Sequence, residues 1–284
     1  MILGGDRKVV IKNIQEALKN GDYNTKVEVN DPKLTVDEKQ KIIYKYIEFQ
    51  KSPWYGINNR IARLITEIAT HSQNKTTKIV GMENIKNIKS GAIITSNHFN
   101  QLDNIVIRKF AKKANKKRLY IVGQETNLAM KGFIGYMMNF MDIIPISDLV
   151  SYMKNDFQTQ LIEKIEKNNF VLIYPEQEMW FNYKKPRPHK QGAYYYASKL
   201  KVPIISCFVE IREREEKDTE EFYKVDYTLH ILNPIYPDNT KSIKENAIEM
   251  MNKDYEQKKQ AYEEIYNEKL TYDFKETDIA GWIR

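Results

Sequence analysis

Between residues 77 and 232, short apolar runs alternate with longer segments of helical period, and few architectures accept that pattern. Runs such as 92–95 (AIIT), 143–146 (IIPI) and 170–174 (FVLIY) are too short for helices and rich in β-branched and aromatic residues. They are continuously apolar, as strands covered on both faces are. Strands are expected at 77–80, 92–95, 119–122, 143–146, 170–174, 202–211 and 225–232. Helices are expected at 103–113, 132–140, 152–167, 192–200 and 242–270. This order predicts an α/β fold, a mostly parallel central sheet flanked by helices. Such sheets bind ligands beyond the carboxyl ends of their strands.

The residues before this alternation have a different texture. Helices are expected at 9–19, 35–50 and 54–71, with breaks at Asn20-Gly21-Asp22 and Asn30-Asp31-Pro32. Thr35 with Glu38 three residues on forms a capping box. The third helix aligns Trp54, Ile57, Ile61, Leu64, Ile65 and Ile68 in one stripe flanked by Arg60 and Arg63. Such a stripe suits either a core contact or a membrane surface. The chain therefore divides into residues 1–74, an N-terminal helical appendage that docks on the sheet or rests on a bilayer, and residues 75–284, an α/β domain with a long C-terminal helix.

Charge and absences narrow the chemistry. The net charge of +7 calls for an anionic partner, such as phosphates or anionic lipid. The basic segment 108–118 suits cations at a helix C-terminus, or contact with lipid head groups or a phosphate-rich donor. No stretch reaches the roughly 18 apolar residues of a spanning helix, and Gly4-Gly5-Asp6-Arg7-Lys8 interrupts any secretory leader. The single cysteine, Cys207, allows no internal disulfide and fits a reducing compartment, so a cytoplasmic, peripheral location on the inner face of a membrane is expected. The four histidines, His71, His98, His189 and His230, lack zinc-ligand spacing, and no dinucleotide- or phosphate-loop motif occurs, so neither metal nor bound cofactor is expected. Nothing resembles a nucleic-acid reading element, so no nucleic-acid partner is expected either.

One stretch carries chemistry: Ser96-Asn97-His98-Phe99-Asn100-Gln101-Leu102-Asp103, directly after the apolar run 92–95. A neutral imidazole takes the proton of an attacking hydroxyl, help worth roughly 10²–10⁴-fold. A carboxylate on its other nitrogen fixes the tautomer and the ring plane. A histidine at a strand end with an aspartate five positions on, at the next helix start, can make that pair locally. The bland alternative is a capping aspartate beside a polar turn residue.

Three further blocks follow in order. The first is Tyr120-Ile121-Val122-Gly123-Gln124-Glu125-Thr126 with Ile143-Ile144-Pro145-Ile146; the second is Phe170-Val171-Leu172-Ile173-Tyr174-Pro175-Glu176; the third is Val202-Pro203-Ile204-Ile205. Together with N-H-x-x-x-x-D at 97–103, they resemble the glycerolipid (lysophosphatidic acid) acyltransferase family over residues 77–232. The resemblance implies a 1-acylglycerol-3-phosphate acyltransferase-like O-acyltransferase of phospholipid biosynthesis. It would move a fatty acyl group from acyl-CoA or acyl carrier protein to the hydroxyl of a lysophospholipid or related acceptor at an anionic membrane surface. His98 would be general base, Asp103 would orient it, and Asn97 with nearby amides would hold the oxyanion. Glu176 would bond the acceptor or, alternatively, balance a nearby cation. The acyl chain would lie along Phe133, Ile134, Tyr136, Met137, Met138, Phe140 and Met141, unless these are ordinary core.

The chain also departs from the family pattern. Where the family has E-G-T-R, residues 176–179 read Glu-Gln-Glu-Met, and Ser147 stands where an arginine is usual. The arginine lost from E-G-T-R would hold the acceptor's phosphate. Either Lys184, Lys185, Arg187, His189 and Lys190 replace it, or the acceptor is a glycolipid or a differently headed lysolipid. The departed block also motivates an alternative function, a non-catalytic lipid-binding protein that keeps the fold.

Overall fold

A computed structural model describes residues 7–29 and 32–283. The break expected at Asn30-Asp31 and the expected leader interruption at Gly4-Gly5-Asp6 lie outside the described residues. Seven strands form one sheet: β1 (Lys78–Val80), β2 (Ala92–Thr95), β3 (Leu119–Gln124), β4 (Ile143–Ile146), β5 (Phe170–Ile173), β6 (Ile204–Lys217) and β7 (Tyr223–Ile231). Their order is β1-β7-β6-β2-β5-β3-β4, parallel throughout except for the β6–β7 pair. The fold class expected from the alternation is the one observed. β6 runs six residues past its expected end at 211, because its β7 partner continues the ladder as a hairpin beyond the core.

The unbroken apolar strands are covered on both faces, and their side chains alternate between two layers. Ile94, Ile143, Phe170, Leu172, Ile205 and Cys207 point into one. Ile93, Ile144, Val171 and Ile204 point into the other. The first layer packs under α5 (Asn104–Lys113), through Ile105, Val106, Ile107, Phe110 and Ala111. The second packs under α8 (Gln158–Glu166), α9 (Gly192–Leu200) and the long α10 (Ile243–Tyr266). Two shorter pieces lead into α8: a helical turn, α7 (Val150–Tyr152), and a π-helical turn, Met153–Phe157.

The segment before β1 forms α1 (Arg7–Asn20), α2 (Val36–Gln50), α3 (Pro53–Ala69) and α4 (His71–Thr76). The Thr35–Glu38 capping box starts α2 as expected. Ile43 and Tyr46 of α2 are buried, Ile43 in the second layer and Tyr46 against α6 (Gly132–Phe140). α1 packs its buried Val10, Ile11, Ile14 and Leu18 against Trp180, Phe181 and Tyr183.

In α3 the buried side chains are Tyr55, Asn59 and Ala62. Its apolar stripe faces outward: Trp54 is 68% exposed, Leu64 58% and Ile68 69%, with Ile57 and Ile61 each at 46%. Of the two readings open for this stripe, the core contact is not the one the fold adopts. The small and polar face packs inward because Asn59 donates to the Phe140 carbonyl (2.8 Å) and the Asp142 carboxylate (2.9 Å). Among the described residues no helix is long and apolar enough to cross a membrane.

Candidate active site

β2 is buried at every position and delivers the chain to the carboxyl edge of the sheet. Ser96 and Asn97 remain buried beyond it. The Asn97 side chain donates to the Val209 carbonyl (3.0 Å) and accepts from the Val209 N–H (2.8 Å). A side-chain amide thus continues the β2–β6 pairing one step after the backbone has turned away. At 2% exposure the Asn97 side chain is engaged with Val209 on both its oxygen and its nitrogen, a structural role beside the oxyanion role expected of it.

His98 is the first residue to emerge, its side chain 20% exposed. Its Nδ1 lies 2.7 Å from Asp103 Oδ2. That oxygen also accepts from the backbone N–H of Phe99 (3.1 Å) and Asn100 (3.4 Å), and the Tyr174 hydroxyl donates to Oδ1. Asp103, only 2% exposed, is therefore held from four directions. The Tyr174 ring stacks on the imidazole, centroids 3.8 Å apart and planes 13° apart. Burial, then the neighbouring Asp103, pushes the Tyr174 hydroxyl well above its ordinary range, so it stays a donor. Facing a carboxylate, Nδ1 of the neutral ring carries the hydrogen, and the lone pair is left on Nε2. Tyr174 was not singled out in the sequence; the signal was available, since it ends the strand beside the one bearing His98.

Glu176 lies beneath this turn at 1% exposure. Its Oε2 accepts from the His98 N–H (3.2 Å) and from Arg187 Nη2 (2.9 Å), and its Oε1 from the Arg187 N–H (3.0 Å). The acceptor contact expected of Glu176 gives way to its alternative, a charge partner, because both oxygens are engaged inside the protein. Arg187 also donates from Nη1 to the Tyr23 carbonyl (3.0 Å) and from Nη2 to the carbonyls of His98 (3.4 Å) and Glu178. Its guanidinium lies 4.4 Å from the centroid of the Trp180 ring. Asn24 ties the same loop to the N-terminal segment by donating to the carbonyls of Glu176 (3.1 Å) and Pro188 (2.7 Å).

Lys185 and His189 of the basic run 184–190 are drawn inward as well. Lys185 is fully buried and donates to Asp278 (2.7 Å) and the Asp273 carbonyl (3.1 Å). His189 shares a 2.7 Å hydrogen bond with the Tyr194 hydroxyl; burial and then Lys258 press its pKa down to about 3, so it carries no charge. Lys184 is half-buried with its ammonium over the Tyr266 ring. Lys190 is exposed. The expectation that this run supplies phosphate-binding cations is corrected for Lys185 and Arg187, which are held in buried ion pairs, and for His189, which is neutral.

Several side chains of segment 108–118 are likewise engaged within the protein. Arg108 donates to Asn104 Oδ1 (3.1 Å) and the Met141 carbonyl (2.6 Å), Lys109 to the Thr77 carbonyl (2.7 Å) and Lys116 to the Ser90 carbonyl (2.9 Å).

The carboxyl ends of β3, β4 and β5 lie to one side of the β2 end that bears His98. Gln124 donates to Glu178 Oε1 (2.8 Å). Lys39 of α2 bridges Asp148 (2.7 Å) and Glu125 (3.1 Å). Gln177 has a φ of 66°, left-handed backbone that glycine adopts freely and other residues reach at roughly 1–2 kcal/mol. The glycine missing from the resembled block is thus missing where the backbone still has the shape for one. Among the described residues no group of acidic, histidine or cysteine side chains could hold a metal ion.

Residues 76–210 match the model of the Acyltransferase family. The chloroplastic 1-acyl-sn-glycerol-3-phosphate acyltransferase BAT2 of Brassica napus is 26% identical over 147 residues, which is 51% of this chain and 40% of that protein. The chain thus spans under half the length of this relative. The crystal structure of the 1-acyl-sn-glycerophosphate (LPA) acyltransferase PlsC from Thermotoga maritima superposes with a TM-score of 0.50 over 94% of this chain and all of that one; at 15% identity, the likeness is one of fold. The matched segment runs from just before β1 into β6 and contains His98, Asp103, Tyr174 and Glu176. Over this segment the chain is similar to the acyltransferase family.

Proposed function

We propose that the protein transfers a fatty acyl group from a thioester, acyl-CoA or acyl-acyl carrier protein, to a hydroxyl of a lysolipid at a membrane surface. The observation that carries this reading is the His98–Asp103 pair: Nδ1 held at 2.7 Å, the ring clamped by Tyr174, and Nε2 left for substrate. Nε2 takes the proton of the acceptor hydroxyl as its oxygen attacks the thioester carbonyl. The tetrahedral adduct collapses, the carbon–sulfur bond breaks, and the thiolate recovers the proton from the imidazolium. Asp103 holds the ring in place and stabilises the transient positive charge. Among the described residues no serine or cysteine is hydrogen-bonded to the pair, which supports direct transfer.

The outward stripe of α3, with Phe133 and Ile134 of α6 also exposed, is an apolar surface suited to lie on the lipid. The acyl chain would follow the half-buried Tyr136, Met137 and Met138 of α6. His98→Ala is expected to lower acyl transfer by roughly 10²–10⁴-fold with the fold retained. Transfer at the wild-type rate would overturn the mechanism, and saturable lipid binding without transfer by the unaltered protein would favour the non-catalytic alternative.

A further inference from the structure

We infer that the acceptor's head group is uncharged and hydroxyl-bearing, a sugar or similar polyol, rather than a phosphate. The inference rests on the acyltransferase reading and concerns the same site. The side chains at the carboxyl ends of β3, β4 and β5, the three strands on one side of the β2 that bears His98, are rich in hydrogen-bond acceptors. Glu178 gives one oxygen to Gln124 and keeps the other. Gln124 turns its N–H groups toward Glu178, which leaves its carbonyl oxygen. Asp148 is exposed beyond β4, next to Ser147. Hydroxyl groups are donors and satisfy such an edge, whereas a phosphate dianion has acceptors only.

Charge points the same way. Glu125, Asp148 and Glu178 are three carboxylates, and the Lys39 ammonium already bridges the first two. Ser147 and Met179 add none. One guanidinium at this edge, Arg187, touches the Glu178 carbonyl but is sealed beneath the loop by Glu176. A phosphate here would meet like charge without a bidentate partner.

The test is a ranking of acceptors by the full chain with a labelled long-chain acyl thioester. The acceptors are a monoacyl hexosylglycerol, lysophosphatidic acid and lysophosphatidylethanolamine, with His98→Ala as blank. The hexosyl acceptor is expected to exceed both phospholipids in kcat/KM by roughly tenfold or more, the scale of one well-made polar contact to a charged group. Glu178→Ala should lower transfer to the hexosyl acceptor, and Ser147→Arg with Met179→Arg should raise the share going to lysophosphatidic acid. A wild-type preference for either phospholipid would overturn the head-group assignment and leave the acyltransferase reading standing; loss of that preference in Lys190→Ala would identify the cation responsible. No His98-dependent transfer to any acceptor would overturn both. The wild-type ranking decides even if a variant fails to fold.

Discussion

Two regions invert the usual relation between polarity and burial. Residues 184–190 (KKPRPHK) are strongly basic in sequence, yet Lys185, Arg187 and His189 are buried. The stripe of α3 is apolar enough for a core contact, one of the two readings open for it, yet Trp54, Ile57, Ile61, Leu64 and Ile68 are exposed. A buried charge costs several kcal/mol unless paired, and each buried cation here has a named partner: Asp278 for Lys185, Glu176 for Arg187. The exposed apolar stripe has no comparable cover from the described fold, and the lipid surface proposed above would supply it. The contrast teaches that the basic run frames the site, while the apolar helix is left facing outward.

The largest effect that could break this contrast is at the buried ion pair. Arg187→Met leaves the Glu176 carboxylate buried without its cation and should cost about 3–5 kcal/mol in denaturant unfolding. Lys190→Met, three residues on and exposed, should stay within about 0.5 kcal/mol. Equal losses at the two positions would show that the run is not divided as described. Glu176→Gln combined with Arg187→Met should cost less than Arg187→Met alone, since no uncompensated charge remains.

The next effect is on pH dependence. Burial and Lys258 keep the folded His189 imidazole neutral down to about pH 3, against 6.5 for the free side chain. Between those values the unfolded chain binds a proton that the folded chain does not, so stability falls as pH falls, by up to about 1.4 kcal/mol per pH unit. His189→Gln should flatten this slope above pH 3.8. Below it Asp254 takes over: burial opposes its charge, but Lys258 and then His189 hold its pKa at about 2, so its contribution is lost between 3.8 and 2. An unchanged slope in His189→Gln above pH 3.8 would mean that the imidazole is not shielded.

The smallest effect on folding sharpens the other side of the contrast. Leu64→Glu removes a side chain already 58% exposed, so unfolding free energy should move by no more than about 0.5 kcal/mol. Binding to vesicles of anionic phospholipid should nevertheless weaken roughly tenfold to a hundredfold, the worth of one leucine moved from lipid to water. A destabilised chain that still binds vesicles would return the stripe to the core.

Much of the site was legible in the sequence. His98 and Asp103 lie five residues apart, and a strand end followed by a helix start brings them together with no help from elsewhere. Tyr174, the third member, sits 71 residues beyond Asp103 and joins through the β2–β5 pairing, so only its place at a strand end hinted at it. The partners of Asn97, Glu176 and Arg187 were not legible for one reason: each is a polar group near a catalytic motif, and which groups lie across from it is set by segments distant in sequence. Val209, 112 residues from Asn97, settled the first. Tyr23 and Asn24, from the segment before the sheet, helped settle the others.

Sequence alone determined the alternation of strands and helices, the parallel sheet it implies, the capping of α2 and the His98–Asp103 pair, because each follows from periodicity or from contacts within a few residues. The tertiary structure alone decided which face of α3 turns outward, which cations of 184–190 are sealed in ion pairs and which side chains fill the edge beside His98. Burial and pairing are properties of a side chain's neighbours, and here those neighbours come from strands and helices distant along the chain.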